Sequence, residues 1–148
     1  MIHAEGGNWD LTVYASTVDN AEHMVLTKGD IAAPGPPLVR VHAVDLLGDM
    51  LGGPHGTVLH TAMTMVAQEG RGVIVLIRDN SPTSLSERVK LMEGGPRPVR
   101  SLRDYGIGAQ ILVDLGIKDM VLLSNTHRIV VGLEAYGLNI TEQRDIPE

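Results

Sequence analysis

Short apolar runs, punctuated by glycine and proline, set the rhythm of the chain. Thr12–Ala15 and Met24–Lys28 read as short strands, and Leu38–His42 as a third after the turn-rich "APGPP" of Ala33–Pro37. "VDLLGDMLGGPHGTVLHTAM" (Val44–Met63) then reads as a flexible, His-bearing loop that runs into a helix. That helix is predicted over Thr57–Gln68, with Leu59, Met63 and Val66 on one face, and Gly70 fits a left-handed cap at its end. "GVIVLI" (Gly72–Ile77) is apolar, β-branched and of strand length, as buried parallel strands are.

The same grammar recurs twice. "AQILVDLGIKDMVLL" reads as helix, Gly116, then a strand over Met120–Leu123. "RIVVGLEAYGLNIT" reads as helix, Gly137, then a strand over Leu138–Thr141. Between the two halves, Ser84 with Glu87 fits a capping box for a short helix, ended by Gly94-Gly95-Pro96. Helix–Gly–strand units predict an α/β layered fold, and the hairpin-length strands at the start predict a mixed sheet flanked by helices. The length of 148 residues suits a single domain over residues 1–148. In such sheets ligands gather at the carboxyl ends of strands, here near Asn80 and Asn125.

Composition narrows the function. At 43 % hydrophobic the chain can bury a core, but aromatics are 3 %, so Val, Leu, Ile, Met and Ala must build it. A net charge of −6 argues against a broad nucleic-acid surface. No apolar run reaches membrane length, and "MIHAEGGNWD" lacks the regions of a signal peptide, so a cytoplasmic location is expected. The cysteine count is zero, which removes disulfides, thiolate metal sites and cysteine nucleophiles.

Three clusters could carry chemistry. His42, Asp45, Asp49, His55 and His60 could hold a metal ion around the Gly52-Gly53 turn, but their spacing matches no tight ligand motif. Ser101, Arg103, Asp104 and Tyr105 precede Gly106-Ile107-Gly108, a pair of glycines that neither follows a strand nor has the third glycine of a dinucleotide loop. Asp104 also suits a helix start, with Arg103 paired to a neighbour. In "LLSNTHR" a strand ends at Leu123, and a helix starting near Asn125 or Thr126 could offer amides to phosphate beside Arg128; the plainer reading makes Asn125 or Thr126 its cap.

Taken together, "LVRVH" with "LLGDMLG", "LTKGDI", "AQEGRGVIVLI", "LRDYGIGAQIL", "LLSN" and "GLEAYGLNI" resemble the GTP cyclohydrolase II family over about Trp9 to Pro147. "LRDYGIGAQIL" (Leu102–Leu112) is the most specific of these. The resemblance implies an α/β fold with a mixed sheet, a homodimer, and a reaction that opens the guanine imidazole ring of GTP with release of formate and pyrophosphate, the start of riboflavin synthesis. Zinc held by three cysteines activates the attacking water in that family.

The departures fall on the chemistry. The family's Ser-Glu-Cys-Leu-Thr-Gly-Asp stands here as Ala43 to Asp49, with Asp45 at the first zinc cysteine. Its Cys-Asp-Cys-Gly gives way to the shorter Gly52–Leu59. Its glycine-rich, two-arginine loop after the central strand becomes Arg78-Asp79-Asn80-Ser81-Pro82, which keeps only the leading arginine and loses an anion cradle. Its Asp-Leu-Arg-Asp-Tyr becomes Ser101 to Tyr105, and a hydroxyl at Ser101 cannot act as the carboxylate base at neutral pH. Arg103 and Tyr105 remain from the catalytic set, while the family's phosphate lysine is Ile129.

The resemblance with these losses implies a riboflavin-linked domain without GTP cyclohydrolase activity and without a zinc cofactor. It would serve as a structural or regulatory element for a partner, such as a dihydroxybutanone phosphate synthase to which the family is often fused. Two alternatives stay open. One is altered chemistry on a non-cysteine metal site of His42, Asp45, His55 and His60; the other is nucleotide binding without turnover through Arg103, Ser124 and Arg128. Neither nucleic acid nor membrane is an expected partner.

Overall fold

Alternation of side chains along β-strands decides the architecture. A computed structural model describes residues 1–17, 20–52, 56–78, 83–94, 101–126 and 128–147, and of residues 92, 101–104, 128, 129 and 131 it describes the backbone alone. Among the described residues the strands are β1 (Ile2–Ala4), β2 (Gly7–Ala15), β3 (Glu22–Lys28), β4 (Leu38–Ala43), β5 (Gly72–Ile77), β6 (Asp119–Leu123) and β7 (Asn139–Arg144). The helices are α1 (Leu46–Leu51), α2 (Val58–Glu69), α3 (Ser84–Met92), α4 (Ser101–Asp114) and α5 (Arg128–Glu134). The strands form one sheet in the order β1-β2-β3-β5-β4-β6-β7. β1, β2, β3 and β5 pair antiparallel in turn, whereas β5, β4, β6 and β7 pair parallel. The sheet is therefore mixed, and the fold is α/β, as expected.

Every residue of β5 is buried, because helices cover both faces. Val73, Val75 and Ile77 join Val39, Val41, Met120 and Leu122 in a core closed by Ile107, Ile111 and Leu112 of α4 and Leu133 of α5. Ile74 and Leu76 point the other way, with Leu38, Val121 and Leu123, under Val58, Ala62, Met63 and Val66 of α2 and under Trp9. Leu38 lies on the α2 face of β4, so the period of two puts Arg40 and His42 on that face as well. The APGPP turn before β4 is built round one guanidinium. Arg71 donates to the carbonyls of Asp30, Ile31, Ala33, Pro34 and Gly35 over 2.6–3.3 Å.

Several local expectations are corrected. The stretch read as a flexible loop holds α1, capped at Gly52 in the left-handed region, φ 74°. Six residues are too few to display a helical period in the sequence. Exposed β1, of three residues, escaped for the same reason. The cap of α3 is Thr83, not Ser84, with Thr83 Oγ1 donating to Glu87 Oε1 at 2.9 Å. Gly106-Ile107-Gly108, whose context already spoke against a phosphate loop, lies within α4. A Cβ at Gly108 would lie 2.8 Å from Val41 Cγ1, so that glycine serves the close approach of helix to sheet.

Candidate functional site

The site begins with an arginine in an apolar strand. Arg40 lies at the third position of β4, and Nη1 donates to the Leu123 carbonyl of the neighbouring β6 at 3.3 Å. Its Nη2 lies 3.2 Å from His42 Nδ1. A guanidinium has only donors, so Nδ1 must be the acceptor and the ring proton must sit on Nε2. That Nε2–H points at both carboxylate oxygens of Asp49, at 3.0 and 3.1 Å. Asp49 Oδ2 also accepts the backbone N–H of Asp45 at 3.0 Å, which closes the first turn of α1. At the surface end, Arg88 Nε of α3 lies 3.3 Å from Asp45 Oδ1. The chain Arg40–His42–Asp49 continues through the Asp45 backbone to Arg88.

Burial sets the protonation states. His42 and Asp49 side chains are 7 % and 13 % exposed. Burial pushes the His42 pKa below its ordinary 6.5, helped by Arg40 and opposed by the bond to Asp49 and by the charges of Asp49 and Asp45. Both ring nitrogens of neutral His42 are engaged, so it positions rather than accepts a substrate proton. Burial also pulls Arg40 down from its ordinary value against Asp49 and Tyr105, but a guanidinium keeps its charge. The sign of the pH effect follows. Above about pH 6.5 His42 is neutral folded and unfolded; below it the unfolded chain takes up a proton that the folded chain resists. Stability should therefore fall as pH drops from 7.5 towards 5.5, and more steeply than in His42→Gln. Urea midpoints at the two pH values check this, and equal slopes in the two proteins would contradict it.

A cleft of about 480 Å³ opens beside this chain at the carboxyl ends of β4 and β6, lined by Arg40, His42, Asp45, Asp49, Arg88 and Tyr105 together with Ser124 to Thr126. Of the residues singled out in the sequence, His42, Asp45, Asp49, Tyr105 and Ser124 come together here. Ser124 Oγ donates to the Thr126 carbonyl at 3.0 Å and accepts the Thr126 N–H at 3.2 Å, so its hydroxyl shapes the loop. Asn125 is not a helix cap: α5 starts at Arg128, and the Asn125 amide pairs twice with the Ile146 backbone, at 2.7 and 3.0 Å. His60 is exposed on α2 and is not among the residues of the cleft. His55 and Asn80 lie outside the described residues, as do the side chains of Ser101, Arg103, Asp104, Arg128 and Ile129. Among the described residues no three His, Asp or Glu side chains are arranged to hold a metal ion. Arg40 and Arg88 also line the cleft, and neither was singled out in the sequence. An arginine between Val39 and Val41 was the available signal, since a strand buries a charge only where it has partners.

Fold and cleft together define an α/β domain that presents a polar site at the carboxyl ends of parallel strands. The description "GTP cyclohydrolase II" belongs to a family model that matches residues 1–145, and the chain belongs to that family. It is 40 % identical to riboflavin biosynthesis protein RibBA of Rhodococcus erythropolis, over 95 % of this chain and 38 % of the relative. The protein of that name from Bacillus cytotoxicus is 39 % identical, over 94 % of this chain and 39 % of its own length. The one from Chlorobium phaeovibrioides is 40 % identical, over 93 % and 37 %. The chain thus spans about two fifths of the length of these relatives.

The zinc that the family implies does not fit the described donors. There is no thiolate in the sequence. Asp45 Oδ1 is buried and lies 3.3 Å from Arg88 Nε, with no hydrogen-bond partner among the described residues, and Asp49 is spent on His42 and the Asp45 N–H. Two carboxylates stand with two guanidiniums, Arg40 and Arg88, around one cleft. A dication needs an excess of anionic or soft donors, and here the charges cancel.

Proposed function

We propose that this domain does not open the ring of GTP and instead supports riboflavin biosynthesis structurally or by regulation. Its partner is a dihydroxybutanone phosphate synthase, as a fused domain or as a separate chain, and the domain forms a homodimer in the cytoplasm. One observation carries the reading: the sequence has no cysteine, and the carboxylate at the family's first zinc cysteine, Asp45, faces Arg88. Zinc activation of water and a carboxylate base each lower a barrier by several kcal/mol, so losing both leaves little of the ancestral rate. The relatives carry a riboflavin biosynthesis name and are longer than this chain, which supports a partner in the same process. No helix among the described residues is long and apolar enough to cross a membrane. The test is synthase activity and subunit assembly of the synthase with and without this domain. Loss of either on removal supports the role; unchanged activity and assembly would refute it.

The cleft itself favours a second reading, nucleotide binding without turnover. Its lining offers Arg40, Arg88 and Tyr105, and Arg103 and Arg128 belong to flanking helices α4 and α5. Titration with GTP should then saturate, and no binding at millimolar GTP would remove this reading.

A further inference from the structure

Helix α1 poses a packing problem. It has six residues and buries none of them. Leu46, Met50 and Leu51 are 52 %, 73 % and 77 % exposed. A helix this short has no stability of its own, and apolar burial contributes little here. The contacts described for it are polar. His42 at the end of β4 donates to Asp49, Asp49 accepts the Asp45 N–H, and Arg88 of α3 meets Asp45. Two residues before it the chain is pinned too, with Val44 N–H donating to the Ile77 carbonyl at 2.8 Å. Gly48 makes room for this arrangement, since a Cβ there would lie 2.6 Å from Asp45 Oδ2. Gly56 lies close against the end of α1, since a Cβ there would lie 2.5 Å from Gly52 Cα.

We propose that a polar network fastens this segment: neutral His42, held by Arg40, donates to Asp49, and Arg88 forms an ion pair with Asp45 at the position of the family's first zinc cysteine. It rests on the reading above that the zinc site is lost. The network joins three elements, β4, α1 and α3, as a metal with ligands from several segments does. It differs in two measurable ways. It is indifferent to chelators, and its exposed arm, with Arg88 and Asp45 side chains 39 % and 32 % exposed, is screened by salt.

Amide hydrogen exchange of the peptide spanning residues 46–51 tests this, on protein purified without chelator and assayed for zinc by plasma emission. The expected result is no stoichiometric zinc and exchange unchanged by EDTA. Arg88→Ala should speed exchange by about two- to fivefold, the range for a half-exposed ion pair. Asp49→Asn should speed it further, and 1 M sodium chloride should reproduce part of the Arg88→Ala effect. Bound zinc whose removal speeds exchange would overturn the proposal. So would unchanged exchange in both variants of a metal-free protein, and that result would leave the reading of lost cyclohydrolase activity standing. Formate release from GTP would overturn that reading instead.

Discussion

Asp49→Ala should destabilise the protein by about 3–5 kcal/mol, the range for leaving a buried charge, here that of Arg40, without compensation. The carboxylate is 13 % exposed and takes two donors, His42 Nε2–H and the Asp45 N–H. Alanine would leave the His42 ring proton without its acceptor. It would also leave the guanidinium of Arg40 buried without the negative charge that compensates it, beside an Nε that already has no hydrogen-bond partner among the described residues. Urea denaturation should show a lower midpoint with an unchanged slope. Adding Arg40→Met to Asp49→Ala should restore part of the loss, because the stranded charge is then gone. A double variant no more stable than the single one would contradict this account of the site's energetics.

Trp9→Ala is the second large effect, also about 3–5 kcal/mol, as for a fully buried aromatic truncated to alanine. Trp9 is 1 % exposed, though it lies on β2, most of whose residues are exposed. Its ring packs into the α2-side core, its Nε1–H donates to the Glu5 carbonyl at 2.8 Å, and Lys28 Nζ sits 4.8 Å from the ring centroid. The side chain fastens the β1–β2 hairpin to the rest of the sheet. For a domain near this size the loss corresponds to roughly 10 °C in Tm. Thermal unfolding checks it, and a shift of one or two degrees would show that the hairpin contributes little to the core.

The fold was readable wherever burial imposed a period. β5, all apolar, and α2, with Met63 and Val66 on one face, follow directly from the pattern. The ends of elements were less legible, because they depend on single hydrogen bonds. Thr83 rather than Ser84 stands at the start of α3, without a side-chain capping bond, and Asn125 pairs with the Ile146 backbone instead of starting a helix. α1 was illegible, because nothing in "LLGDML" is buried. Its helix depends on Asp49 reaching His42, a contact made in space that periodicity does not report. The site was half legible. His42, Asp45 and Asp49 stood out as candidate ligands, and the structure does gather them. What joins them is hydrogen bonding from His42 and the Asp45 N–H to Asp49, with Arg40 behind His42 and Arg88 facing Asp45. Contacts of that kind cannot be read from spacing, since Arg88 reaches Asp45 only through the fold.

On the function proposed above, this member of the family neither holds zinc nor opens GTP. One preparation, purified without chelator from zinc-supplemented cells, should be incubated with GTP and magnesium while formate is measured and zinc is counted per chain. The expected result is no formate above the enzyme-free control and zinc well below one per chain. Formate released in step with GTP loss, by protein carrying one zinc per chain, would contradict it.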